Sequence, residues 1–207
     1  MLWGDIWFPL IFIWHKKIYE TPHDKKKPCI FLSNHISYLD SAIIVKAYRQ
    51  PIRPLGKVEM SKVPVFGFIY RNAIVTVDRT STSNKASSVR ILKSLINKGI
   101  SVLVFPEGTF NMGTTPLKEF YDGAFRVAIE TQTPIKPVLF LDAYRRMPYE
   151  SLFLMTPGIS RIVYLAEIPV TGYTLKDVGK LKDEVYTIME KKLIEYDAAW
   201  RKETPNP

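Results

Sequence analysis

Residues Cys29 to Asp40 have the sequence CIFLSNHISYLD, a short apolar run followed by a histidine and a carboxylate. The run shows no polar alternation, which is typical of a strand that other elements cover on both faces. We therefore predict a buried strand over Cys29 to Ser33. It ends in a turn that carries His35 and leads into a helix, Ser37 to Tyr48, with Asp40 near its start.

Apolar runs and amphipathic segments alternate along the rest of the 207 residues. The further strand candidates are Ile52 to Lys57, Ala73 to Val77, Ser101 to Phe105, Ile135 to Leu141 and Arg161 to Ile168, and the further helix candidates are Val65 to Asn72, Asn84 to Lys98, Tyr121 to Gln132 and Leu175 to Lys202. This order predicts one α/β domain, with a mostly parallel mixed sheet that is flanked by helices. Ligands of such sheets bind beyond the carboxyl ends of the strands.

His35 and Asp40 lie at such a carboxyl end. A carboxylate beside a histidine fixes the tautomer of the ring and stabilises the imidazolium that forms when the other ring nitrogen takes a proton. The pair is therefore a candidate general base for a hydroxyl group. The spacing alone also fits a loop histidine next to a carboxylate that only stabilises the start of a helix.

A second turn, Pro106-Glu107-Gly108-Thr109, follows the predicted strand Ser101 to Phe105. It places a glycine where a backbone can approach a ligand closely, and exposed amides at such a turn can hold an anion or a developing oxyanion. Taken alone, the segment also fits an ordinary turn. Two such turns at the carboxyl ends of strands favour a shared site.

Composition narrows the classes of partner. Residues 1–100 hold sixteen of the 29 basic side chains and only six of the 20 acidic ones. The basic first half favours an anionic partner such as a lipid headgroup, an acidic carrier or nucleic acid, although a charge that serves solubility alone fits as well. The single cysteine, Cys29, excludes a disulfide framework and favours a reducing compartment. One cysteine and three histidines give no cluster with metal-ligand spacing, so we predict no metal site.

The amino-terminal stretch Leu2 to Trp14, LWGDIWFPLIFIW, is apolar and rich in tryptophan, and lysines follow it. It is shorter than the ~20 residues that cross a bilayer, and it has neither the basic leader nor the cleavage site of a signal peptide. Tryptophan beside apolar residues and lysine suits the headgroup boundary, so we predict a membrane-associating segment over residues 1–20. A helix buried against the domain and the remainder of a longer spanning segment are the alternatives.

NHISYLD and FPEGT match the N-H-x-x-x-x-D and F-P-E-G-T blocks of the glycerolipid acyltransferases. Between them, residues 56–59, 64–67 and 73–79 resemble the family's second block, and residues 133–138 resemble its fourth. The chain therefore resembles this family, and in particular the bacterial lysophosphatidate (1-acylglycerol-3-phosphate) acyltransferases. The resemblance implies that residues 21–207 form the acyltransferase domain.

The resemblance also implies a direct acyl transfer. His35 would be the general base and Asp40 its partner, acting on the free hydroxyl of a lysolipid that attacks the thioester of acyl carrier protein or coenzyme A. The acceptor site would combine two cations for the phosphate with residues of the second turn, namely Lys57, Arg79, Glu107, Gly108 and Thr109. No cofactor is implied. The enzyme would serve phospholipid biosynthesis as a peripheral or monotopic protein at the cytoplasmic face of the cell membrane.

One position departs from the family's pattern. Arginine commonly follows Glu-Gly-Thr and contributes to phosphate binding, whereas this chain has Phe110. The departure leaves a phosphate-free lyso-aminolipid open as the acceptor besides lysophosphatidate. A catalytically idle peripheral membrane protein with the same fold is a further alternative. A nucleic-acid-binding protein is disfavoured, because no motif of that class accompanies the basic charge.

Overall fold

The computed structural model describes residues 2–22, 24, 26–48, 50–57, 74–77, 82–151 and 153–201. The helices of the described residues are α1 (Leu2–Leu10), α2 (Leu39–Ala47), α3 (Thr82–Asn97), α4 (Gly123–Thr131), α5 (Ala143–Arg146) and α6 (Val178–Glu195), which a short 3₁₀ helix (Leu175–Asp177) precedes. The strands are β1 (Ile13–Tyr19), β2 (Ile30–Leu32), β3 (Ile52–Lys57), β4 (Val75–Val77), β5 (Ser101–Val104), β6 (Ile135–Phe140) and β7 (Gly158–Tyr164). The helix predicted over Val65 to Asn72 lies outside the described residues.

These strands form one sheet in the order β1-β7-β6-β2-β5-β3-β4. Neighbouring strands run parallel except β6 and β7, which pair antiparallel. Because of that reversal, the carboxyl ends of β2, β3, β5 and β6 lie at the same edge of the sheet as the amino ends of β1 and β7. We call this edge the upper edge. The predicted single α/β domain with a mostly parallel mixed sheet is confirmed.

Helices cover the central strands on both faces, which explains why β2 is apolar at every position. Ile30 and Leu32 pack into the core that α3, α4 and α6 help to form, whereas Phe31 packs on the opposite face with Leu39 and Ile43 of α2. Burial of one such side chain contributes about 1.5–3 kcal/mol to stability. The fully buried strand therefore fixes the centre of the sheet and the position of the turn that follows it.

The amino-terminal stretch forms a helix followed by a strand. After α1 the chain turns sharply and enters β1, which pairs parallel with β7 along its whole length. Phe8 of α1 and Ile13 of β1 are buried in the core. The predicted boundary at residue 20 therefore separates β1 from the sheet to which it belongs, while the membrane association of this segment stays a prediction. In the described part of the chain, no helix has both the length and the apolar character to cross a bilayer.

Candidate active site

His35 and Asp40 meet at the upper edge, in the turn from β2 to α2. Nδ1 of His35 lies 2.9 Å from Oδ2 of Asp40. The same carboxylate oxygen accepts hydrogen bonds from the backbone N–H groups of Ile36 and Ser37, at 2.7 and 2.9 Å. Asp40 is fully buried in the first turn of α2. The backbone of the turn thus wraps around one carboxylate oxygen, and that oxygen holds the histidine.

The bond to Asp40 also assigns the tautomer of the imidazole. Oδ2 of Asp40 already accepts hydrogen bonds from two backbone N–H groups, so Nδ1 of His35 also donates to it. Nε2 is then the unprotonated ring nitrogen, which can take a proton from a hydroxyl group. The His35 side chain is 18% exposed whereas that of Asp40 is 0% exposed. The base is therefore accessible from the upper edge and its partner is not.

Asn34 fixes this turn to the neighbouring strand β6. Its Nδ2 donates to the carbonyl oxygen of Phe140 at 3.0 Å, and its Oδ1 accepts a hydrogen bond from the Phe140 N–H at 2.8 Å. The side-chain amide thereby continues the pairing of β2 with β6 beyond the end of the strand. Sequence reasoning assigned no role to Asn34, although an amide directly before His35 was an available signal.

Glu107 joins the two turns. The residue is fully buried, and its Oε1 accepts the backbone N–H of His35 at 2.8 Å while its Oε2 accepts that of Lys118 at 2.9 Å. The backbone N–H of Asn111 donates to the carbonyl oxygen of His35 at 2.7 Å. The structure therefore brings the two predicted turns together, and Glu107 acts on the site through the backbone that it holds.

Gly108 and Thr109 form the partly exposed part of the second turn. Gly108 has a φ angle of 71°, a left-handed conformation that favours glycine, and its N–H donates to the carbonyl oxygen of Phe105 at 3.0 Å. The turn follows β5, next to β2, and so lies at the upper edge beside His35. The contact of Gly108 and Thr109 with a substrate stays a prediction.

Of the two residues predicted to contact the phosphate, Lys57 and Arg79, the structure describes the backbone of Lys57. Lys57 is the last residue of β3, where its backbone pairs with that of Val77 at the end of β4. Because β3 runs parallel to β5, Lys57 lies at the upper edge. Arg79 follows β4 and lies outside the described residues. The backbone thus brings Lys57 to the edge that carries His35, and phosphate binding by either residue stays a prediction.

Aromatic rings surround the imidazole. The Phe105 ring stacks on that of His35, with centroids 4.1 Å apart and 17° between the planes. The Phe110 ring approaches His35 edge-on, at 4.4 Å and 67°. Phe110, which the sequence identified only as a departure from the family's pattern, therefore contacts the candidate base itself.

Burial of Glu107 raises the pKa of its carboxyl group to about 8, and nearby Asp40 adds to the rise, although the backbone N–H groups of Lys118 and His35 lower it. Between the ordinary carboxyl pKa and about 8, the folded protein retains a proton that the unfolded chain releases. The free energy of unfolding should therefore fall as the pH rises through this window. Relative to Glu107→Gln, which does not titrate, the fall in the wild type should be on the order of a few kcal/mol.

Denaturant unfolding of both proteins from about pH 5 to about pH 9 checks this expectation. Parallel stability profiles for the wild type and Glu107→Gln would contradict it.

A family model described as Acyltransferase matches residues 15–141, which contain His35, Asp40 and the Glu107 turn. An uncharacterized acyltransferase from Schizosaccharomyces pombe is 29% identical over 176 residues, which are 84% of this chain and 63% of that protein. A 1-acyl-sn-glycerol-3-phosphate acyltransferase from Haemophilus influenzae is 28% identical over 94% of this chain and 80% of that protein.

Among solved structures, the 1-acyl-sn-glycerophosphate acyltransferase PlsC from Thermotoga maritima superposes with a TM-score of 0.72. The match covers 96% of this chain and 78% of that one at 22% sequence identity. It shows that the two chains share a fold.

Proposed function

Since the chain belongs to the acyltransferase family, we propose that it transfers a fatty acyl group from a thioester donor to the free hydroxyl of 1-acyl-sn-glycerol-3-phosphate. Acyl carrier protein or coenzyme A carries the acyl group. The observation that supports this proposal is the pair of His35 and Asp40, 2.9 Å apart, with the base accessible and its partner buried. The Haemophilus influenzae relative, named for this acceptor, supports the choice of lysolipid.

The proposed reaction is a direct transfer from donor to acceptor, without an acyl-enzyme. Nε2 of His35 accepts the proton of the acceptor hydroxyl while the hydroxyl oxygen attacks the thioester carbonyl carbon. Asp40 stabilises the imidazolium that forms. The tetrahedral intermediate collapses with cleavage of the C–S bond, and the imidazolium returns the proton to the leaving thiolate. The products are the acylated lipid and a free thiol.

The cysteine and the serines on either side of His35 support a transfer without an acyl-enzyme. Burial raises the pKa of the Cys29 thiol to about 12, so it does not supply a thiolate nucleophile. The hydroxyl of Ser33 is buried and hydrogen-bonded to that of Tyr48, and the hydroxyl of Ser37 donates to the carbonyl oxygen of Met147. We therefore assign the nucleophile to the hydroxyl of the acceptor.

A panel of lysolipids, offered with acyl carrier protein and with coenzyme A donors, tests the proposal. Release of free thiol and the mass of the lipid product give the rate and the acceptor. We expect lysophosphatidate to be acylated fastest. Faster acylation of a phosphate-free lyso-aminolipid would overturn the acceptor, and a folded protein that acylates no lysolipid with either donor would be a catalytically idle relative.

Arg79→Ala tests how the phosphate is held. By the resemblance, Arg79 supplies the main cation and Lys57 assists it. Loss of a charge-assisted hydrogen bond of ~1.5–3 kcal/mol should raise the KM for lysophosphatidate by roughly ten- to a hundred-fold, with little change for the acyl donor. Arg53→Ala removes an exposed arginine of β3 and is the matched control. Equal KM values for lysophosphatidate in the two variants would exclude Arg79 from the phosphate site.

Peripheral attachment to the cytoplasmic face of the cell membrane is part of the proposal. Large hydrophobic side chains, each more than half exposed, lie in or beside the amino ends of β1 and β7. We call this group the apolar rim, and it consists of Leu10, Phe12, Trp14, Phe153, Leu154 and Ile159. Trp14 pairs with Ile159 across the two strands, and the N–H of Gly158 donates to the carbonyl oxygen of Phe12. The rim therefore flanks the edge at which a lipid must reach His35.

Point substitutions test the rim better than deletion of the amino terminus, because deletion would also remove the buried side chains of Phe8 and Ile13. The double variant Trp14→Ser with Leu154→Ser should bind vesicles of anionic phospholipid roughly tenfold or more weakly, since each side chain forfeits apolar burial in the headgroup region. The control is Ile91→Ser with Leu175→Ser, two exposed side chains outside the rim. Equal sedimentation of both double variants with vesicles would refute the rim as the attachment surface.

A further inference from the structure

The catalytic histidine needs more than its carboxylate partner to be held in one orientation. The hydrogen bond to Asp40 restrains one ring atom, Nδ1, but it tolerates a range of distances and angles. The χ2 torsion of histidine, about which the ring turns, has a broad profile and does not set the plane of the ring. Contacts with other side chains therefore help to decide where Nε2 points.

Two phenylalanines supply such contacts. Phe105 stacks almost parallel on the imidazole, and Phe110 meets it edge-to-face at 4.4 Å. Phe110 is itself held by Tyr38, whose ring lies 4.8 Å away at 81°. Edge-to-face packing is a favoured geometry for aromatic rings, so these contacts favour one orientation of the imidazole.

The backbone on either side of Phe110 is tied to the same turn. The N–H of Asn111 donates to the carbonyl oxygen of His35 at 2.7 Å. The Asn111 side chain bonds the carbonyl oxygen of Thr115 and the N–H of Gly113. The segment that carries Phe110 is thus fixed relative to His35, and its ring has a fixed place against the imidazole.

We propose that Phe110 is a positioning residue that sets the plane of the His35 ring so that Nε2 faces the acceptor hydroxyl. The proposal rests on the function proposed above. A phenyl ring carries no charge or hydrogen-bond donor, so the side chain at position 110 orients the base and offers the acceptor phosphate no hydrogen bond. The acceptor phosphate must then be held elsewhere.

Phe110→Leu removes the ring and keeps the apolar character. We expect kcat to fall roughly ten- to a hundred-fold, the scale of loss that follows misplacement of a catalytic group, while both KM values change little. Phe110→Tyr keeps the edge-to-face contact and should restore most of the rate. Phe120→Leu is the control, because Phe120 lies in the same segment but packs on Phe125 and Tyr186.

Nitrogen-15 NMR of the histidine rings gives a readout that does not depend on activity. In the wild type and in Phe110→Tyr, we expect one set of His35 ring signals with a slowly exchanging Nδ1 proton. In Phe110→Leu we expect a broadened or faster-exchanging signal. The spectrum decides the positioning role even if the wild type acylates no lysolipid, in which case the proposed function alone fails.

Three outcomes would overturn the inference. An increase in the KM for the acceptor at unchanged kcat would make Phe110 a substrate contact. Unchanged kcat and an unchanged His35 spectrum in a folded Phe110→Leu sample would exclude a positioning role. An equal fall in kcat for Phe120→Leu would assign the effect to general loosening of the segment.

Discussion

Replacing His35 by alanine is expected to lower kcat about 10²- to 10⁴-fold, the range for loss of a general base. Without the imidazole, the attacking hydroxyl loses the group that takes its proton. The fold should persist, because the hydrogen bonds that tie residue 35 to Glu107 and Asn111 use its backbone N–H and carbonyl groups, which alanine retains. The KM for the acyl donor should therefore stay close to that of the wild type.

A second histidine provides the control for this experiment. His15 lies in β1, where its ring packs on that of Phe8 with centroids 4.2 Å apart. Burial, together with Lys46 and Lys17, lowers the pKa of His15 to about 4, so the ring is neutral at physiological pH. His15→Asn should retain turnover even where stability falls. Near wild-type turnover of a well-folded His35→Ala protein, measured by thiol release, would exclude the base mechanism.

Complete burial made three central strands predictable from their sequences. Strands β2, β5 and β6 are buried along their entire length, so their sequences are mostly apolar, with Ser101 in β5 and Lys136 in β6 as buried polar exceptions. β1 was missed because it is an edge strand with exposed Trp14 and Lys16, and its sequence, IWHKKIY, looks like a polar connector. Its place is set by pairing with β7, more than a hundred residues away in the chain. The helix α5 is too short for helical periodicity to show.

The candidate site likewise has a part that was predictable from the sequence and a part that was not. His35 and Asp40 are five residues apart, so local spacing was enough to predict their contact. The bonds of Glu107 to the His35 backbone and of Asn34 to Phe140 span 72 and 106 residues, and no local pattern encodes them. The place of Phe110 against the imidazole likewise depends on how two turns meet. The reacting pair was therefore predictable from the sequence, whereas the long-range contacts that orient it were not.

Asp40→Asn is expected to lower kcat about 10²- to 10³-fold, the equivalent of about 3–4 kcal/mol in the barrier. A carboxylate beside a histidine fixes the tautomer of the ring, so this variant could be expected to act by disturbing that tautomer, but the structure indicates a different cause. Three N–H groups converge on Oδ2, whereas Oδ1 has no hydrogen-bond partner among the described residues. The asparagine should therefore place its carbonyl oxygen at the Oδ2 position and its NH₂ at the Oδ1 position. The tautomer is then kept, and what is lost is the buried negative charge that stabilises the imidazolium.

Comparison with Asp40→Ala separates the effect of the negative charge of Asp40 from the effect of the hydrogen bonds by which it supports the turn. Alanine leaves the N–H groups of Ile36 and Ser37 without their acceptor, at a cost of about 1–3 kcal/mol for each group that stays buried and unpaired. Asp40→Ala should therefore lower both the free energy of unfolding and kcat, whereas Asp40→Asn should lower mainly kcat. Thermal unfolding, thiol-release kinetics and nitrogen-15 NMR of His35 measure the two effects. If Asp40→Asn keeps the wild-type rate while Asp40→Ala loses both rate and stability, Asp40 only supports the turn, because its charge would then add nothing that the hydrogen bonds do not already provide.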